Sequence, residues 1–374
     1  MIDEVILICI FVFITGACIG SFLNVVALRA LSKESIVFPA SKCPECQEPI
    51  KWYDNIPIFS YLFTFRGKCR NCGCKVSLQY PIVETITAIL FLAVFLAYGV
   101  SINTLLILIL LCISIVITIT DFKKEYVFDA HSWALIIFAI ITSLYNVGWQ
   151  NYMVPALGLI AGAIIMEVIA RLAYYLVKKD VKTDEEQKEE TTAETSGNEN
   201  DNKEVKTEEN NEDNDEEDFD INEYVRKNKR AFGEGDTYLA AAAGALLGWK
   251  YIFIAVAMAI ILQALFILPQ FIKNLYDKEE YRLLFSLSTF FIVAIVYWGI
   301  TNTVKVPFYV LVVFVLILVF CALDTIIRLK KTVNTQGFVA IPFGPALLFS
   351  TFLTFFFGKY IISFVIKHVF LLLG

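Results

Sequence analysis

Long apolar segments dominate the chain, and most are separated by short polar loops, as in a polytopic membrane protein. A transmembrane helix needs roughly 20 apolar residues, and most of these segments approach that length. Longer polar stretches occur at about 29–80 and 180–230. The pattern predicts an all-α fold with roughly nine to eleven transmembrane helices. The predicted segments are 5–28, 82–99, 104–120, 132–148, 153–177, 237–249, 251–272, 283–301, 306–328, 338–358 and 360–373.

Composition agrees with a membrane protein. Hydrophobic residues make up 57% of the 374 residues and charged residues only 18%, which excludes an ordinary water-soluble domain. The first apolar segment, Val5 to Leu28, has no basic region before it and is too long for a signal peptide. We therefore expect it to be retained as the first membrane helix.

Charge is unevenly distributed along the chain. The net charge is −6, yet the stretch from Asp180 to Asp220 alone holds nineteen acidic residues and four lysines. Such a stretch has too little apolar surface to fold, so it is predicted to be a disordered linker between two membrane halves. Partner binding is the alternative role for it.

Lysine and arginine are concentrated in alternate loops, which predicts the orientation of the chain. The loops near 99–103 and 148–152 contain neither residue, whereas the loop between them and the loops before and after them are basic. Because short cytoplasmic loops carry the positive charge of membrane proteins, the basic loops are expected on the cytoplasmic side. The basic residues are Arg29, Lys33, Lys42, Lys51, Arg66, Lys68, Arg70, Lys75, Lys123, Lys124, Lys178, Lys179, Arg226, Lys227, Lys229 and Arg230.

Five cysteines lie in the first polar loop, between Cys43 and Cys74. They include two CxxC pairs, Cys43-Pro-Glu-Cys46 and Cys69-Arg-Asn-Cys72. Four thiolates satisfy tetrahedral zinc and leave no open position for water, and a reducing cytoplasm disfavours disulfides. The spacing predicts a structural zinc held by these two pairs, with Cys74 as an alternative to Cys72. A redox CxxC pair and thiols without metal are the competing interpretations.

Two aspartates adjoin apolar segments at the predicted cytoplasmic face. Asp121 directly follows the run from Leu105 to Thr120, and Asp236 ends the sequence Gly233-Glu-Gly-Asp236. A carboxylate there is costly unless it is hydrated or paired. Two carboxylates that meet can share a proton and activate a water, as in an aspartic protease. Asp121 alone is also compatible with a hydrated helix end. Asp129 competes with Asp121 as the partner of Asp236.

Two glutamates inside apolar segments also need an explanation. Glu84 lies near the start of the second segment, where a carboxylate is expected to interact favourably with the helix dipole. Glu167 lies in the middle of a segment, where that explanation does not apply.

Four stretches carry a family resemblance, in one order along the chain. They are Ile19-Gly-Ser-Phe-Leu-Asn-Val-Val-Ala-Leu-Arg29, the cysteine loop followed by Tyr80-Pro-Ile-Val-Glu84, Phe232-Gly-Glu-Gly-Asp236-Thr-Tyr-Leu239, and Ile341-Pro-Phe-Gly-Pro345. Together they resemble the type IV prepilin peptidase family, also called the prepilin leader peptidase/N-methyltransferases, whose members carry a GxGD motif.

The resemblance implies a multi-pass aspartic endopeptidase of the bacterial inner membrane. It would cleave the leader peptide of prepilin or pseudopilin substrates at the cytoplasmic face, with Asp121 and Asp236 as the catalytic pair. Many members then methylate the new N-terminus with S-adenosylmethionine. The zinc ligands implied are Cys43, Cys46, Cys69 and Cys72, and the partners are substrate and lipid bilayer, without nucleic acid.

Two other functions are compatible with the sequence. One is a catalytically silent, zinc-containing membrane scaffold for pilus or secretion assembly. The other is a transporter with paired carboxylates in a proton path, although its carboxylates should lie nearer the middle of the membrane.

The chain departs from the family pattern at three places. The acidic linker replaces a short connection, the region 274–336 is expected to insert two extra helices at about 283–328, and Val127-Phe128 replaces an apolar-Pro pair before Asp129. The predicted organisation is 1–28 first transmembrane helix, 29–80 cytoplasmic zinc-binding domain, 81–179 helices carrying Asp121, 180–230 acidic linker with a basic end, and 231–374 helices carrying the GxGD motif.

Overall fold

The computed structural model divides into two units. The first contains Met1–Arg171, Arg230–Ile260 and Ile341–Gly374, and the second contains Leu172–Lys229 and Ile261–Ala340. The structure describes residues 2–38, 41–43, 45–51, 56–64, 67–173, 233–277, 288–289, 317 and 342–369. The linker predicted at 180–230 therefore lies outside the described residues, as do nearly all residues of the extra helices predicted at 283–328.

Eight helices account for most of the described residues, which confirms the predicted all-α fold. Seven of them, all except α6, are long and apolar enough to cross a membrane. No strand occurs among the residues the structure describes. The helices are α1 (Ile2–Ser32), α2 (Gln79–Tyr98), α3 (Ile102–Lys124), α4 (Asp129–Val147), α5 (Trp149–Ala173, beginning with a 3-10 turn at Trp149–Asn151), α6 (Glu234–Leu247), α7 (Trp249–Asp277) and α8 (Gly344–Val369).

Helix α6 is short because a glycine ends it. Gly248 has φ +79, a conformation that favours glycine, and its backbone N–H donates to the carbonyl oxygen of Gly244 at 2.7 Å. Helix α7 begins at the next residue, Trp249. With 14 residues, α6 is about 21 Å long and shorter than the apolar layer of a bilayer.

The described parts of the two C-terminal segments predicted at 338–358 and 360–373 form one helix, α8. The predicted break at Lys359 does not occur, because a single charged residue keeps the helical hydrogen bonds. The neighbouring Gly358 packs closely against Tyr251, where an added Cβ would lie 3.0 Å from the ring. Tertiary packing therefore supports a continuous helix across a position with weak helix propensity.

The main apolar core of the first unit lies where α3 to α8 meet. Its fully buried residues include Leu110, Met166, Leu239, Ile252 and Leu347. The small residues of α6 allow an especially close approach of α5. A Cβ added to Gly158 would overlap the carbonyl oxygen of Gly244, and one added to Gly162 would overlap that of Ala240. Small residues at such an interface allow two backbones to touch.

A second, smaller core joins α1 to α3. It consists of Leu23, Ala27, Val116 and Ile119. Ala27 lies near the end of α1 and Ile119 lies near the end of α3. The polar loop that follows α1 therefore starts beside the end of α3 that carries Asp121.

Candidate active site

Asp121 lies in the last turn of α3 and is almost completely buried, with 5% of its surface exposed. Its Oδ2 atom has no hydrogen-bond partner among the described residues. The backbone N–H of Gly344, at the start of α8, faces the carboxylate. A Cβ added to Gly344 would lie 2.5 Å from Oδ2. An ordinary hydrated helix end does not account for a buried carboxylate oxygen of this kind.

Asp236 lies in the first turn of α6 and is partly exposed. Gly233 precedes the helix in an extended conformation, with φ −63 and ψ 157. A carboxylate in a first turn interacts favourably with the helix dipole. Gly235 lies against Val127, since an added Cβ would be 2.8 Å from the Cβ of that valine. The first turn of α6 thus rests on the loop that follows Asp121.

Two further contacts place both aspartates at one end of the first unit. Gly344, which adjoins Asp121, also lies near Leu239, where its added Cβ would be 3.0 Å from Cδ1. Leu239 lies one turn after Asp236 in α6. The rings of Trp133 and Tyr238 join α4 to α6, with centroids 5.8 Å apart. A buried and a partly exposed carboxylate at one helix-bundle end suit acid–base activation of water.

The competing aspartate, Asp129, occupies a different environment. It is exposed and lies in the first turn of α4, after the extended residue Phe128. A carboxylate at this place is accounted for by the helix dipole. Burial therefore distinguishes Asp121 from Asp129, which sequence alone does not.

The two CxxC pairs form two turns of the same design. In the first turn, the N–H of Cys43 donates to the carbonyl oxygen of Glu48 at 3.0 Å. In the second turn, the N–H of Cys69 donates to the carbonyl oxygen of Cys74 at 2.8 Å. The fifth position of each turn has a positive φ, +58 at Gln47 and +72 at Gly73. Residue pairs Lys42–Pro49 and Lys68–Lys75 form antiparallel bridges beside the turns.

The sulfur atoms of the two turns lie close enough to hold one metal ion. Cys43 and Cys72 have Sγ atoms 3.8 Å apart, and Cys46 and Cys69 have theirs 4.0 Å apart. Zinc–sulfur bonds of about 2.3 Å in a tetrahedron place sulfurs roughly 3.8 Å apart. These two distances among the four cysteines predicted from sequence are compatible with tetrahedral zinc.

Cys74 also belongs to the sulfur cluster. Its Sγ lies 3.4 Å from that of Cys43, and Cys43, Cys69, Cys72 and Cys74 have all four sulfurs within 4.8 Å of one another. The equivalence of the turns nevertheless favours Cys46, because Cys72 corresponds to Cys46 and Cys74 corresponds to Glu48. The 3.4 Å separation is also shorter than the edge of a zinc–sulfur tetrahedron.

The local backbone prepares two of the thiols for metal binding. Hydrogen bonds from the backbone of Cys46 and then of Glu45 lower the pKa of Cys43 to about 6. The backbone of Cys74 lowers the pKa of Cys72. Hydrogen bonding to the Cys72 sulfur, by contrast, raises the pKa of Cys74 to about 12. The pKa of Cys46 is raised to about 12 as well, so these shifts do not choose between Cys46 and Cys74 as a ligand.

Glu84 has a different role from the one predicted. It is the sixth residue of α2, beyond the first turn, so the helix-dipole interpretation is wrong. The side chain is buried, and Oε2 accepts a hydrogen bond of 2.7 Å from the backbone N–H of Ile58. Ile58 has φ +62, an unfavourable conformation for a β-branched residue. This hydrogen bond therefore attaches the part of the cysteine loop that contains Ile58 to α2. Glu167, by contrast, pairs with Arg171 at 2.7 Å.

Two residues near the aspartates were not identified as functional from the sequence. Gly344 lies in a motif for which the sequence alone indicates no role. Val127 stands out in the sequence only as a departure from the family pattern. The glycine between two prolines in Pro342-Phe-Gly-Pro345 was a signal of a special backbone site. Nothing in the sequence around Val127 indicated its contact with Gly235.

Comparison with known protein families gives two consecutive matches. Residues 14–98 match the Bacterial Peptidase A24 N-terminal domain, and residues 108–268 match the Type IV leader peptidase family. The first match contains the sulfur cluster, and the second contains Asp121 and Asp236. No solved structure matches the chain significantly.

Curated relatives agree with the family matches. Proteins named prepilin leader peptidase/N-methyltransferase are similar to the chain in several bacteria. The one from Myxococcus xanthus is 47% identical over 90 residues, 24% of this chain and 27% of that protein. The one from Neisseria gonorrhoeae is 35% identical over 173 residues, 40% of this chain and 60% of that protein. The one from Bacillus subtilis is 36% identical over 109 residues, 29% of this chain and 44% of that protein. In each case the chain spans less than two thirds of the relative's length. The chain thus matches both domain models of this peptidase family, consecutively and in order, on a helical fold.

Proposed function

We propose that this chain is a membrane aspartic endopeptidase that removes the leader peptide of prepilin-like proteins. One observation carries the proposal: the buried Asp121 and the GxGD aspartate Asp236 lie at the same end of one helical unit. The names of the similar bacterial proteins support the substrate class. The basic residues Lys123 and Lys124, in the last turn of α3, support a cytoplasmic position for that end.

Asp121 and Asp236 would act as one acid–base pair. The ionised carboxylate takes a proton from water, and the resulting hydroxide attacks the scissile carbonyl carbon. The protonated carboxylic acid donates its proton to the carbonyl oxygen. Collapse of the tetrahedral intermediate breaks the C–N bond. The leaving nitrogen takes the proton that the first carboxylate received from water, and the second carboxylate takes back the proton of the former carbonyl oxygen.

The site at the end of the bundle also suits the shape of the substrate. An apolar substrate helix would lie in the bilayer against the membrane helices, and its leader junction would reach the rim where Asp236 is partly exposed. Cleavage at the rim lets water enter without crossing the apolar layer.

A second activity is proposed from the names of the relatives, which include N-methyltransferase. The new N-terminal amine would be methylated with S-adenosylmethionine as methyl donor. Incubating the full chain with a prepilin and methyl-labelled S-adenosylmethionine tests this activity separately. Cleaved pilin without label would retain the peptidase and remove the methyltransferase.

The sulfur cluster is proposed to hold a structural zinc through Cys43, Cys46, Cys69 and Cys72. A closed set of four thiolates stabilises a fold and leaves no position for a reacting water. Zinc would fold a loop whose own apolar core is small.

The peptidase proposal is tested by three asparagine variants in membranes containing a prepilin. Asp121→Asn and Asp236→Asn are each expected to lose at least about hundredfold in cleavage rate, because acid–base catalysis is removed. Asp129→Asn is the matched control, since Asp129 is exposed, and it should cleave within about threefold of the native rate. Folded Asp121→Asn protein that still cleaves would contradict the proposal.

The scaffold function makes the opposite prediction. A silent scaffold would keep its metal and assemble with pilus or secretion proteins, while the native chain would leave every candidate prepilin intact. The same cleavage assay with the native protein therefore separates the two functions.

A further inference from the structure

The carboxylate of Asp121 meets the beginning of a long helix. Its buried Oδ2 lacks a hydrogen-bond partner among the described residues and lies against Gly344, the first residue of α8. Only 5% of the Asp121 surface is exposed. A buried carboxylate oxygen is costly unless positive charge or donors compensate it.

The start of α8 offers both positive charge and hydrogen-bond donors. The first bond within the helix runs from the N–H of Leu347 to the carbonyl of Phe343, at 3.1 Å. The amides before Leu347 have no acceptor inside an α-helix and carry the positive end of its dipole. Pro345 has no N–H, so the amide hydrogens of this turn belong to Gly344 and Ala346. The Gly344 N–H is the one that faces Asp121.

Glycine at position 344 is what permits this approach. A Cβ there would lie 2.5 Å from Oδ2 of Asp121 and 3.0 Å from Cδ1 of Leu239. Neither neighbour yields easily, since Asp121 and Leu239 are both buried. A side chain at position 344 would force either the helix start or the Asp121 carboxylate to shift.

We propose that the first turn of α8, which begins with Gly344–Pro345–Ala346, is a positioning element that holds the Asp121 carboxylate for catalysis. This inference rests on the proposed function. The turn supplies fixed partial positive charge beside Oδ2 and limits the directions in which the carboxylate can point. Preorganised dipoles of this kind act without rearrangement during reaction.

The test compares three variants of the full chain in liposomes with a prepilin substrate. Gly344→Ala is expected to lower kcat by about hundredfold, because a displacement of about 1 Å in a catalytic group has that effect, while KM changes less than about threefold. Gly358→Ala is the matched control in the same helix. Its Cβ would lie 3.0 Å from the Tyr251 ring, away from Asp121, and kcat should stay within about threefold.

Thermal melting tests the contact independently of activity. Gly344→Ala should lower the melting temperature of the native protein, and it should lower it much less when combined with Asp121→Ala, which removes the oxygen it meets. If Gly344→Ala alone does not fold but the double variant with Asp121→Ala does, that result also supports the contact between position 344 and Asp121.

The outcomes separate this inference from the proposed function. Native cleavage with an unchanged kcat in Gly344→Ala would overturn the inference and leave the peptidase. An effect confined to KM, or an equal loss of melting temperature in both backgrounds, would also overturn it. If the native chain cleaves no prepilin, both the peptidase and the catalytic role of the turn are overturned.

Discussion

Val127 packs against Gly235, so the loop after Asp121 touches the residue before Asp236. A Cβ on Gly235 would lie 2.8 Å from the Cβ of Val127 and 3.2 Å from its Cγ2. The contact joins two parts of the chain that the acidic stretch separates in sequence. It also distinguishes the two glycines of the GxGD motif. Among the described residues, a Cβ on Gly233 would meet only the Gly235 nitrogen, at 4.0 Å.

Gly235→Ala is therefore expected to lower both cleavage and thermal stability. The added methyl group would force the first turn of α6 away from Val127, at a cost of about 1–3 kcal/mol in unfolding free energy. Thermal melting in detergent and prepilin cleavage measure the two effects. Gly233→Ala is the control, since its φ of −63 accepts alanine and its surroundings are open. Equal losses in both variants would show that Val127 does not restrict Gly235.

The close contact of α5 with α6 gives a second prediction. Gly158→Ala places a methyl group on the carbonyl oxygen of Gly244, so the two helices must separate. The unfolding free energy should fall by about 1–3 kcal/mol, measured by thermal or denaturant unfolding in detergent. Ala156→Ser, on an exposed position of the same helix, should change it by less than about 0.5 kcal/mol. A Gly158→Ala protein as stable as this control would contradict the packing.

The equivalence of the two cysteine turns predicts which thiols hold metal. Cys72→Ser should lose bound zinc, whereas Cys74→Ser should keep one zinc per chain, because Cys74 occupies the place of Glu48. Metal analysis of the purified full chain by mass spectrometry measures both variants, and it is independent of catalysis. Loss of zinc in Cys74→Ser with retention in Cys72→Ser would instead assign the fourth ligand to Cys74.

The hydrogen bond between Glu84 and Ile58 predicts a local effect on the cysteine loop. Glu84→Ala leaves the Ile58 N–H without its acceptor and should cost about 1–3 kcal/mol. Glu84→Gln retains an acceptor oxygen and should cost less. Limited proteolysis of the loop and thermal melting measure the change.

Glu167→Ala provides the comparison for Glu84. Glu167 pairs with Arg171 on a more exposed part of its helix, and exposed pairs contribute roughly 0–1 kcal/mol. Its removal should leave the proteolysis of the cysteine loop unchanged. Equal effects of Glu84→Ala and Glu167→Ala on loop cleavage would contradict the proposed attachment of the loop to α2.

Much of the site was predictable because its signals are local. The pairing of Cys43 with Cys46 and of Cys69 with Cys72 follows from spacing. The structure brings the two pairs together, with Sγ distances of 3.8 Å for Cys43–Cys72 and 4.0 Å for Cys46–Cys69. The position of Asp121 at a helix end follows from the apolar run before it. The role of Glu84 was predicted wrongly because its acceptor contact lies with Ile58, outside its own helix.

The sequence by itself determined the membrane class, most of the helices and the identity of the candidate groups, because apolar length, cysteine spacing and the position of charges are properties of neighbouring residues. Only the tertiary structure decided that α8 is continuous, that Asp121 rather than Asp129 is buried, and that Gly344 and Gly235 have no room for a side chain. Those decisions depend on close contacts between segments distant in the chain. Such contacts arise when helices pack, and no local pattern encodes their distances.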